Sequence, residues 1–227
     1  MLGRLGGWQY PVRASEPHNS YFNFLVFRAP RSYGRTPLGQ EDRNNLKKAA
    51  VLSYRRITDL EELAGQGHRV LAEFFARNDY TFRRDRLRPQ VFRRWAAGLL
   101  AEPKVFVLGA YRETRLCAVH VSFRVQNVLL FDVSFSSRAG RAACSDYGVL
   151  DFLRRKAAQT GVSFISVGPV SHKASLDDFK RRRGAEVLTL PARLSCNPLA
   201  RGLLRLAAPG SHQRLLGVPP TVPRPAL

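Results

Sequence analysis

Apolar and polar positions follow a helical period over residues 40–100, an alternating period over 105–135, and a strand–helix–strand pattern over 162–190. Near the N-terminus, Tyr21–Phe27 alternates weakly and predicts an edge strand. Leu46, Ala49 and Ala50 lie on one helical face behind Glu41 and Asp42, carboxylates that suit a helix N-terminus. Tyr54–Ile57 predicts a short strand. Thr58 with Glu61 then forms the pattern of a capping box opening a helix to Leu63, and Val70, Leu71, Phe74 and Phe75 mark a second helical stretch. Pro89 opens a further helix that presents Phe92, Trp95, Leu99 and Leu100.

The strongest β signal is Val105–Tyr111, Leu116–Val125 and Leu129–Phe135, separated at Glu113–Thr114 and Asn127, which predicts an antiparallel meander. Ser136–Ser145 reads as a polar loop. A helix capped by Ser145 or Asp146 buries Val149, Leu150, Leu153 and Ala157 and ends at Gly161. Val162–Val167 follows directly, so this helix is a crossover to a strand parallel to the last meander strand. A Gly168–Pro169 turn, a helix carrying Phe179 and Lys180, a closing Gly184 and a last apolar run complete an α/β (α+β) domain with a mixed, mostly antiparallel sheet flanked by helices. The boundaries expected are an irregular extension over 1–40, the domain over 41–192, and an amphipathic helix (Pro198–Ala207) with a Pro-rich tail over 193–227.

The chain has 227 residues, a 44% hydrophobic content and a net charge of +20, enough apolar residue for a core and a field that attracts polyanions. Six lysines leave 31 of the 37 cations as Arg, spread along the chain, a distribution that a GC-rich coding bias also produces. Cys117, Cys144 and Cys196 show no metal-ligand spacing, and no metal is expected. No apolar run reaches the length of a membrane span and no secretory signal is visible, so a cytoplasmic location is expected.

Four segments, DRNNLKKA (42–49), the meander 105–135, YGVLDFLRRKAAQTGVSFISVG (147–168) and SLDDFKRRRGAEVLTLP (175–191), together resemble the GNAT superfamily of acyltransferases. Within it the resemblance is to the domain of Fem-type peptidoglycan aminoacyltransferases and CelD-like polysaccharide-biosynthesis proteins, and it covers roughly residues 40–192. It implies transfer of an acyl or aminoacyl group to a small-molecule or sugar amine, in cell-envelope or polysaccharide biosynthesis. The donor is acyl-CoA, such as acetyl-CoA, or aminoacyl-tRNA. SSRAGRAACSDYG (136–148) departs from the usual pyrophosphate-binding glycine spacing, as Fem-type proteins do. The chain reads as a single-domain relative or as part of a two-domain one.

Acyl transfer to an amine needs a group facing the developing oxyanion and a base for the amine proton. The Phe-Lys match makes Lys180 a candidate to face the oxyanion or a substrate phosphate, with Phe179 beside it as a substrate contact or a core anchor. If Phe131 and Val133 face the core, Asp132 faces the opposite side of the sheet and is a candidate base; His120 on the neighbouring strand is another. Tyr147 is a candidate acid for the leaving group, His172 lies where the substrate cleft of the family opens, and Arg138 and Arg141 are placed to hold phosphates. Each also has a plain reading as a core or solvated residue. A non-catalytic GNAT-fold module that binds RNA or another anionic partner is the rival function.

Overall fold

The computed structural model describes residues 7–28, 33–34, 38–78, 83–170, 174–207, 212 and 215–217. Its elements are β1 (Gly7–Pro11), β2 (Ser20–Arg28), α1 (Gln40–Ala49), β3 (Ser53–Arg56), α2 (Leu60–Glu62), α3 (His68–Arg77), α4 (Pro89–Ala101), β4 (Val105–Arg112), β5 (Arg115–Val125), β6 (Val128–Ser136), α5 (Arg138–Ala142), α6 (Ser145–Gln159), β7 (Phe164–Pro169), α7 (Ala174–Arg181), β8 (Glu186–Cys196) and α8 (Pro198–Ala207). The chain divides into two compact units, one from 27–168 and one from 1–26 with 169–227. The pairs β1–β8, β2–β8, β3–β4, β4–β5 and β5–β6 are antiparallel and β6–β7 is parallel, so the fold is mixed α/β and mostly antiparallel.

In the larger unit the strand order is β7-β6-β5-β4-β3. One cluster joins Val70, Leu71 and Phe75 of α3 and Phe92 and Ala96 of α4 to Val107, Val119 and Phe135 of the strands. A second joins Val149 and Leu153 of α6 to Leu108, Ala110 and Ala118. Helices thus cover this sheet on two faces, each meeting the alternate side chains of the strands. Glycine permits the closest of these approaches: a Cβ on Gly148 of α6 would stand 1.7 Å from the Tyr54 hydroxyl.

Two β-bulges change which face side chains meet. Ala110 pairs with Ala118 and Tyr111 with Leu116, leaving Cys117 extra on β5. Val121 pairs with Val133 and Ser122 with Phe131, leaving Asp132 extra on β6. The expectation that Phe131 and Val133 share a face is therefore corrected: Phe131 packs with the α6 cluster and Val133 with the α3/α4 cluster. Period-two alternation flips wherever one residue is inserted in the ladder.

Local corrections have similar causes. Asp59, not Thr58, caps α2, its carboxylate accepting the Glu61 N–H at 2.9 Å. A π-helical turn, Leu63–Gly67, joins α2 to α3 and lets Gln66 Oε1 accept the Leu116 N–H at 2.9 Å. The loop expected over 136–145 contains α5, whose cap is Ser137 Oγ accepting the Gly140 N–H at 3.1 Å. Neither Ser145 nor Asp146 caps α6, because Cys144 precedes it in the left-handed conformation (φ 54°).

In the smaller unit the order is β1-β8-β2. β8 runs past Leu190 to Cys196, pairing with β2 from Ala192 to Glu186 and with β1 from Cys196 to Ala192. Asn19 fastens this sheet by accepting the Leu194 N–H at 2.7 Å and donating to the Leu194 carbonyl at 3.1 Å. Gly184, at φ 86°, ends α7 as its position predicts, with its N–H on the Arg181 carbonyl at 2.8 Å.

Candidate functional site

The larger unit holds a break in its sheet. β6 and β7 pair at Val128–Phe164, Leu129–Ile165 and Leu130–Ser166, after which no further partners are registered between them. β6 nevertheless stays on β5 as far as Ser136, opposite Ala118. Where two parallel strands stop pairing, backbone groups that would have faced each other lose that partner, and past Leu130 no residue of β6 is registered with β7. An extended molecule can enter such a gap and pair as a strand does. Asp132 sits on β6 just beyond the point of separation, and its side chain is exposed.

The loop after β6 is tied down by the first bulge. Ser137 N–H donates to the Cys117 carbonyl at 2.8 Å. A Cβ on Gly140 would lie 2.3 Å from that same oxygen, so glycine here serves close packing of α5 on β5. Arg138 and Arg141 are both exposed on α5. Backbone donors that a phosphate would use are already engaged: the Arg138 N–H donates to Glu73 Oε2 at 3.1 Å, and the Gly140 N–H to Ser137. Glu73 also meets Arg115 at 3.6 Å. An open pocket of about 570 Å³ runs over this group, lined by Arg77, Arg115 and Arg138 around Glu73. A phosphate placed there would meet guanidinium side chains rather than loop N–H groups.

Tyr147 lies half-buried in the first turn of α6, beside Asp146, whose carboxylate accepts the Ser134 hydroxyl at 3.3 Å. His120 is fully buried on β5 with its ring 3.7 Å from that of Phe131. Among the described residues neither of its nitrogens has a hydrogen-bond partner, and burial pushes its pKa down to about 3. A ring enclosed in this way cannot collect a proton from a substrate amine, which removes His120 as a base.

In the smaller unit, Phe179 and Lys180 are half-buried on α7. The Arg183 guanidinium carbon lies 3.9 Å from the centre of the Phe179 ring. Burial lowers the Lys180 pKa, partly opposed by Asp177. His172 lies outside the described residues.

A second cleft of about 620 Å³ opens in the larger unit at the other end of α6, where Lys156, Ala157 and Thr160 meet the start of β4 and the end of β5. Its apolar floor includes Phe106, Leu129 and Leu153, and its edge carries Arg56, Lys104, Arg124 and Lys156. The sequence reading missed this cleft, and Glu73, Arg77 and Arg115 as well. None of these residues carries a signal in its own segment, because only the tertiary fold brings them together.

No family model matches the chain, and no curated protein sequence matches it. Among solved structures it is similar to FemX, at 9% identity and a TM-score of 0.62, over 90% of this chain and 69% of that one. It is similar to L-PGS from Bacillus licheniformis at 10% identity and a TM-score of 0.57, over 92% of this chain and 67% of that one. The C-terminal domain of a protein named as a lysylphosphatidylglycerol synthetase from Agrobacterium fabrum gives 10% identity and a TM-score of 0.56, over 88% of this chain and 67% of that one. The fold is GNAT-like. At these identities the likeness is one of fold, and the chain spans about two thirds of each of these structures. Among the described residues no helix is long and apolar enough to cross a membrane, and no three His, Cys, Asp or Glu side chains gather to hold a metal.

Proposed function

We propose that this protein is an acyltransferase that moves an acyl or aminoacyl group from acyl-CoA or aminoacyl-tRNA onto a small-molecule or sugar amine, by direct attack without a covalent enzyme intermediate. The separation of β6 from β7 after Leu130 and Ser166 carries the reading, because it leaves β6 with an open backbone edge on which a donor can align. In this reaction the amine nitrogen attacks the donor carbonyl carbon and the carbon–sulfur or carbon–oxygen bond to the carrier breaks. The amine proton leaves to a base, and the carrier takes up a proton as thiol or hydroxyl. We assign Asp132 as the base, exposed beyond the point where the strands part, and Tyr147 as the acid. The family resemblance adds Lys180 for the oxyanion, and Phe179 and His172 for substrate contact. Arg138 and Arg141 hold donor phosphates through their side chains, consistent with the engaged N–H groups of their loop. The Fem-like setting, in the cytoplasm and in cell-envelope or polysaccharide biosynthesis, belongs to the same proposal.

Radiolabelled transfer from acetyl-CoA, longer acyl-CoAs and aminoacyl-tRNA to a panel of amines tests it. Transfer is expected from one donor class and is lost in Lys180→Ala and Asp132→Asn while both variants keep the melting temperature of the parent. Undiminished turnover by either variant removes that residue from the assignment, and no transfer from any donor sinks the activity.

A non-catalytic module for RNA or another anionic partner is the second reading, favoured by the four cations at the edge of the 620 Å³ cleft. Salt-sensitive tRNA binding in the absence of any transfer would select it.

A further inference from the structure

The smaller unit carries a helix whose apolar side nothing covers among the described residues. Leu199, Leu203 and Leu206 of α8 stand at i, i+4 and i+7, which places them in one stripe, and they are 74%, 63% and 83% exposed. The helix is capped at its start, where Asn197 Oδ1 accepts the Leu199 N–H at 2.9 Å and the Asn197 carbonyl accepts the Arg201 N–H at 2.9 Å. It follows β8 directly, and β8 pairs Ser195 with Trp8 and Arg193 with Tyr10. Those two aromatic side chains, 66% and 42% exposed, share one face of β1. Residues 187–227 hold arginines at 193, 201, 205, 214 and 224 and no Asp or Glu.

We propose that α8 lies flat on a bilayer rich in anionic phospholipid, its leucine stripe in the boundary between headgroups and acyl chains and its arginine stems reaching the phosphates. Three features choose this occupant. The stripe is too apolar to be a solvated face, and an acid-free basic segment complements an anionic surface. Tryptophan and tyrosine on β1, the strand paired with the one that leads into α8, suit the headgroup level. A second copy of the chain fits less well, since α8 packed on its own symmetry mate would bring arginines together with no carboxylate in residues 187–227 to pair them. This inference is independent of the acyl-transfer reading.

Co-sedimentation of the full chain with phosphatidylcholine vesicles, with and without phosphatidylglycerol, tests it, with Trp8 emission as a second readout. Binding to the phosphatidylglycerol vesicles and a blue shift are expected. Leu203→Asp should lower the partition coefficient by about tenfold or more, the value of one leucine withdrawn from an apolar phase, with no change in melting temperature. Equal partitioning of Leu203→Asp would show that bulk charge alone holds the protein and would overturn the proposal. So would equal binding to pure phosphatidylcholine, or a vesicle-free dimer that Leu203→Asp dissociates.

Discussion

His120 gives this fold an acid sensitivity whose size follows from its position. The ring is fully buried between strands, neither nitrogen has a partner among the described residues, and burial moves its pKa from 6.5 to about 3. Unfolding returns the ring to water, where it binds a proton below pH 6.5, so the unfolded state holds more protons than the folded one between pH 6.5 and 3. Stability is therefore present above that window and is lost as pH falls through it. Each pH unit inside the window is worth about 1.4 kcal/mol, so going from pH 7 to 5 costs ~2 kcal/mol from this residue alone. His120→Leu fills the site with an apolar side chain and removes the titration. Urea unfolding of both proteins at pH 7 and pH 5 reads the effect: the parent should lose ~2 kcal/mol more than the variant. A parent and variant that weaken by the same amount would refute the reasoning, as would a His120 ring proton in NMR that titrates near pH 6.5.

Three further outcomes follow from the same geometry. Glu73→Gln removes the carboxylate that occupies the Arg138 N–H and faces Arg115; isothermal titration should show CoA or pyrophosphate binding tightened about fivefold, and unchanged affinity would mean that no anion enters this pocket. Gly148→Ala drives a Cβ to 1.7 Å from the Tyr54 hydroxyl. It should cost about 1–3 kcal/mol in chemical denaturation. Gly98→Ala, in α4 with nothing within 4 Å of the added carbon, should instead stabilise by about 0.5–1 kcal/mol.

The sequence made the meander and the crossover helix legible because their apolar runs are long and separated by clear turn residues. Val105–Arg112, Arg115–Val125 and Val128–Ser136 contain the three runs expected, and Val149, Leu150, Leu153 and Ala157 are buried as α6 requires. β1 escaped notice because its alternation is only Trp8-Gln9-Tyr10, too short to mark a strand between Gly7 and Pro11; its partner, β8, lies far along the chain. The bulges at Cys117 and Asp132 escaped for a different reason, since an inserted residue is visible only against the strand it is paired with. The same holds for the site. Arg138 and Arg141 lie within the expected loop, but Glu73, whose carboxylate accepts the Arg138 N–H, comes from a helix more than sixty residues earlier and shows nothing unusual in its own segment.

In the proposed reaction the acyl donor aligns on β6 where it parts from β7. Hydrogen exchange at the amides of residues 131–136, with and without acyl-CoA or a stable aminoacyl-tRNA analogue, measures it directly. One of the two donors should slow exchange on this stretch of β6 while leaving β4 unchanged. Unaltered exchange there with both donors at saturation would contradict the account.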